Sequence, residues 1–171
     1  LAAPIMQGKH LSWNLLSKEL KQRLESVKGN AAKVALVLTP QYTNEEYENI
    51  LTSLSAILGG LPNIFVWRDS NEKIDDFDGI LMRGDRNANS KGLAQILEKK
   101  VAQAVPLSGD FSPLASANAE LVIVFGPEIE KAYSQFATEV SRFAEMTNVV
   151  YFGTTLNPIA KKFSLTIPTK V

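Results

Sequence analysis

Two runs, "KVALVL" at 33–38 and "ELVIVF" at 120–125, each apolar after its first residue, constrain this chain more than any other feature. Neither alternates between apolar and polar residues, so neither suits a strand with one wet face. A strand that is apolar at every position has to be buried on both faces, which is the situation of a parallel strand between two layers of helices. "NIFVW" at 63–67, a short run at 79–82, "NVVYF" at 148–152 and "FSLTI" at 163–167 have the same length and character.

Helical periodicity fills the spaces between them. Trp13, Leu16, Leu20, Leu24 and Val27 recur at three- and four-residue steps, with Ser12 placed as N-cap and Gly29 just past the end. Thr43 and Glu46 have the spacing of a capping box, followed by Tyr47, Ile50, Leu51, Leu54 and Ile57 on one face and Gly59-Gly60 at the end. Leu93, Ile96, Leu97 and Val101 predict a third helix, Ser112-Pro113 opens a short fourth, and Ile129 to Ala144 carries a fifth. Glu72 to Asp78 reads as an acidic surface connection, and 156–161 as a turn and short helix.

Strands alternating with helices predict an α/β domain, Rossmann-like and three-layered, with a mainly parallel sheet of five to six strands and helices on both faces. Residues 1–11 read as an irregular N-terminal arm and 12–171 as one such domain, a size that supports a single core. A strand order near 3-2-1-4-5-6 places the loops after the first and fourth strands at the switch point, where sheets of this kind bind ligands.

Those loops lack the features of working nucleotide sites. The first strand runs into Thr39-Pro40-Gln41-Tyr42 instead of Gly-x-Gly-x-x-Gly, and Pro40 removes a backbone donor. The fourth runs into Gly126-Pro127-Glu128, where a carboxylate opposes phosphate. No P-loop motif is present. Eighteen basic and eighteen acidic residues cancel, so no overall field favours nucleic acid or an anionic membrane. Without cysteine, the chain has no disulfide, thiolate metal ligand or cysteine nucleophile. No apolar run approaches the roughly 20 residues that span a bilayer. His10 has no acid or nucleophile nearby in sequence, Asp75, Asp76 and Asp78 fit no calcium loop, and Ser108-Gly109-Asp110 lacks the nucleophile-elbow frame, so no catalytic or metal residue is assigned. The N-terminus carries no initiator Met or signal segment, and "SLTIPTKV" ends straight after a strand, as expected of a piece of a longer protein.

One loop stands apart. "LMRGDRNANSKGL" at 81–93 leaves a strand and enters a helix through Gly84, Asp85, Asn87, Asn89, Ser90 and Gly92. Its Arg-Gly-Asp tripeptide is read as coincidence in a chain with neither signal segment nor disulfide. Two readings stay open: a polar turn that caps the helix, or a ligand-contact loop.

The order of motifs resembles the molybdopterin oxidoreductase family. "LSWNLLSKELKQRLESVKG" is similar to the segment that opens its large α/β region, "VALVLTPQYTNEEYENIL" to a strand, loop and helix start, and "FDGILMRGDRNANSKGL" to its Asp-x-Asn-x-Asn-x-x-Gly loop. "ANAELVIVFGPEIE" and "NVVYFGTTLNPIAKKFSLTIPTKV" resemble later strands and turns of the same region. Within the family the likeness is to the large peripheral-arm subunit of respiratory NADH:quinone oxidoreductase (complex I). That resemblance implies a non-catalytic structural domain with no cofactor of its own, supporting electron transfer from NADH to quinone through iron–sulfur clusters in other parts of the parent subunit. Its partners would be neighbouring domains and subunits of the peripheral arm, on the cytoplasmic side of the inner membrane. By position, Asp85, Asn87, Asn89, Gly92 and Gly126 fall on vestiges of the family's cofactor site. The alternative implied by the same likeness is a formate dehydrogenase-like domain in which these loops hold molybdopterin guanine dinucleotide.

Overall fold

A computed structural model of the chain describes residues 3–68, 87–101, 103–107, 112–126, 138, 148–153 and 162–169. The expected strand at 79–82, the acidic connection, the helix at 129–144 apart from residue 138 and the turn at 156–161 lie outside those residues, as do Asp85, Glu128 and the Ser108-Gly109-Asp110 stretch.

The protein is α/β, built on one eight-stranded sheet. In chain order its strands are β1 (Ile5–Met6), β2 (Lys9–His10), β3 (Val34–Leu38), β4 (Asn63–Trp67), β5 (Ala104–Leu107), β6 (Leu121–Phe125), β7 (Asn148–Gly153) and β8 (Leu165–Pro168). They lie in the order β2-β1-β8-β7-β6-β3-β4-β5. Six are parallel, and β1 adds to the edge antiparallel to β8 through Ile5 and Thr166.

The central order is the expected one, with β5 in the outer slot beyond β4. Two strand assignments need correction, and together they carry the count past five to six. "AVPL" at 104–107 is an edge strand, a place where Pro106 costs no ladder bond. The arm expected to be irregular is a hairpin whose two-residue turn, Gln7 (φ 48°) and Gly8 (φ 79°), has positive φ at both positions, as a type I′ turn requires.

Strand side chains alternate between two cores. Leu36, Leu38, Ile64, Ile123, Val150 and Leu165 face α1 (Trp13–Ser26), α2 (Asn44–Leu58) and α3 (Ser90–Lys100). Val37, Phe65, Trp67, Val124, Val149 and Tyr151 face the other way, where Leu114 of α4 (Ser112–Ser116) packs. Leu36 and Leu38 are fully buried; truncating either to alanine costs about 2–5 kcal/mol.

Short-range signals set the helix ends. The Ser12 hydroxyl accepts from the Leu15 amide at 3.3 Å. Thr43 and Glu46 form the complete capping box, and Gly59 closes α2 in the left-handed conformation at φ 73°. Two side chains expected inside are not. Trp13 is 55% and Ile57 38% exposed. Arg23 ties the end of α1 to the start of β7, donating to Asn148 and, at 3.0 Å, to the Ser164 hydroxyl. Burial of its guanidinium lowers its pKa, an effect opposed by Glu19.

Candidate functional site

The chain winds outward in both directions from the β3–β6 pair, so the switch point is the crevice at the carboxyl ends of these strands, beyond Leu38 and Phe125. A dinucleotide site needs vacant backbone amides there, aimed at phosphate from a helix N-terminus. Following β3 residue by residue shows how those amides are used.

Thr39 is fully buried, and its hydroxyl donates across the crevice to the Phe125 carbonyl at 2.9 Å. Pro40 has no N–H. The Gln41 amide donates to the Thr39 carbonyl at 2.8 Å. The Tyr42 amide donates to the Tyr47 phenol at 3.1 Å, and the Thr43 amide to the Glu46 carboxylate at 2.7 Å. Three successive amides, those of Gln41, Tyr42 and Thr43, are therefore spent within the loop and its cap. Glu45 and Glu46 sit in the first turn of α2, so the positive end of the helix dipole already faces carboxylates.

Tyr47 organises the loop from beneath. Its hydroxyl donates to the Thr39 carbonyl at 2.7 Å while accepting from Tyr42. Burial pushes the phenol well above its ordinary range, so it stays neutral and keeps its proton for that bond. Tyr42 meets the Tyr47 ring edge-on at 6.2 Å and the Phe125 ring at 5.8 Å, and Phe125 stacks on Phe152 at 4.5 Å. Aromatic rings thus cover the crevice from β3 across to β7.

The loop singled out in sequence arrives on this rim. Asn89 donates its amide N–H to the Pro40 carbonyl at 2.9 Å. Its side-chain nitrogen donates to the Tyr42 carbonyl and to Asn44 Oδ1, each at 2.9 Å. Asn89 is the N-cap residue of α3 but makes no side-chain cap bond, because its side-chain amide is used to tie α3 to the β3 loop. Asn89 thus holds the N-cap position while its side chain clamps the two loops together. Asn87 lies two residues before it, half-buried. Gly92 has a packing reason: a Cβ there would collide with the side chains of Asn44 and Asn89.

Gly126 lies across the crevice from this cluster. Its amide donates to the Phe152 carbonyl at 3.1 Å, and a Cβ would strike the Tyr151 ring. So Asn89 and Gly92 are brought together, Gly126 is linked to them among the described residues through Phe125 and Tyr42, and a Cβ at either glycine would meet a neighbouring side chain. Among the described residues, the Gln41, Tyr42, Thr43, Asn89 and Gly126 amides donate within the chain, and two carboxylates flank the start of α2. Sequence reading missed Thr39, Tyr42, Asn44, Tyr47 and Tyr151 as its builders; the available signal was a polar and aromatic cluster directly after an apolar strand.

Among the described residues no cluster of His, Asp or Glu could hold a metal, and no helix is long and apolar enough to cross a membrane. His10 is exposed on β2. The chain matches no family model, no curated protein and no solved structure.

Proposed function

We propose that this protein is a non-catalytic scaffold domain of the large peripheral-arm subunit of a respiratory NADH:quinone oxidoreductase. In this reading it packs against neighbouring domains and subunits, and electrons travel through iron–sulfur clusters held elsewhere in the parent. The order of motifs along the sequence suggests the family. The observation that carries the non-catalytic part is the closed rim: Thr39 bonded across to Phe125, the Gln41, Tyr42 and Thr43 amides all engaged, and Asn89 clamped over them. The same rim disfavours the formate dehydrogenase-like alternative, since Asn89, Gly92 and Gly126 serve contacts within the chain.

A thermal-shift screen against nucleotides, flavins and pterin compounds tests it. Ligands that bind only the folded state raise its melting temperature by mass action, so no stabilisation is expected. A saturable rise of several degrees with any of them would overturn the scaffold reading, and molybdenum in the purified full-length parent would establish the alternative.

A further inference from the structure

We draw no further inference here: the strongest candidate, the apolar groove between α1 and α2 over Ile123, Phe125 and Phe152, carries none, because nothing among the described residues shows what covers it.

Discussion

Tyr47→Phe removes one oxygen and leaves the ring, so it isolates the bond on which the β3 loop is hung. The phenol donates to the Thr39 carbonyl at 2.7 Å and accepts the Tyr42 amide at 3.1 Å. The Thr39 carbonyl keeps a second donor, the Gln41 amide at 2.8 Å, so its loss is partial. The Tyr42 amide loses its phenol acceptor in a half-buried setting, and stripping such a group of its partner costs about 1–3 kcal/mol. The ring contact with Tyr42 is unaffected. A net loss of about 2 kcal/mol is expected, which for a chain of this size lowers Tm by about 4–8 °C. Differential scanning calorimetry at neutral pH measures it directly.

The pH dependence gives the same prediction an independent sign. Burial raises the folded-state pKa of Tyr47 above the ordinary 10.0. The unfolded chain therefore releases this proton first, and the stability the neutral phenol contributes is complete below pH 10 and falls above it. The wild-type advantage over Tyr47→Phe should shrink as pH rises past 10. A variant melting within a degree of wild type at neutral pH, or a gap that widens in alkali, would refute the role given to this phenol.

Gly126→Ala should destabilise the fold by about 1–3 kcal/mol, because its methyl group meets the Tyr151 ring. Pairing it with Tyr151→Leu should give a loss smaller than the sum of the singles in urea denaturation, which a glycine kept for ligand approach would not produce. Asn89→Ala deletes both side-chain bonds from the clamp, to Tyr42 and Asn44, and should cost about 1–2 kcal/mol. Hydrogen exchange should then quicken at residues 41–44 before it does in β3, and an unchanged pattern would mean that the clamp does not hold the loop.

What could be read from sequence was set by how local each determinant is. β3 and β6 announce themselves because burial on both faces leaves no polar residue in either run. The Ser12 and Thr43 caps are equally plain, since each partner lies three residues away. β5 escaped because an edge strand tolerates proline, and the β1–β2 hairpin because two-residue strands show no periodicity. Trp13 and Ile57 have the right spacing for the core but sit where no neighbour covers them among the described residues, something spacing cannot report. The site divided in the same way. The strand order pointed to the loops after β3 and β6; that Asn89 and Gly92 join them at the switch point was not expected from it. The content of the site depended on Asn89 reaching Tyr42 and Asn44, 47 and 45 residues earlier, and on Gly126 meeting a ring on another strand. Side-chain partners that far apart leave no pattern in a single sequence.

The amides of the β3 loop can be watched one by one. In a nitrogen–proton correlation spectrum of the labelled protein, titrated with molybdopterin guanine dinucleotide and separately with NADH, the resonances of Gln41, Tyr42, Thr43, Asn89 and Gly126 should stay in place at every concentration. Saturable movement of that set, with the rest of the spectrum unmoved, would contradict a rim in which these five amides are engaged within the chain.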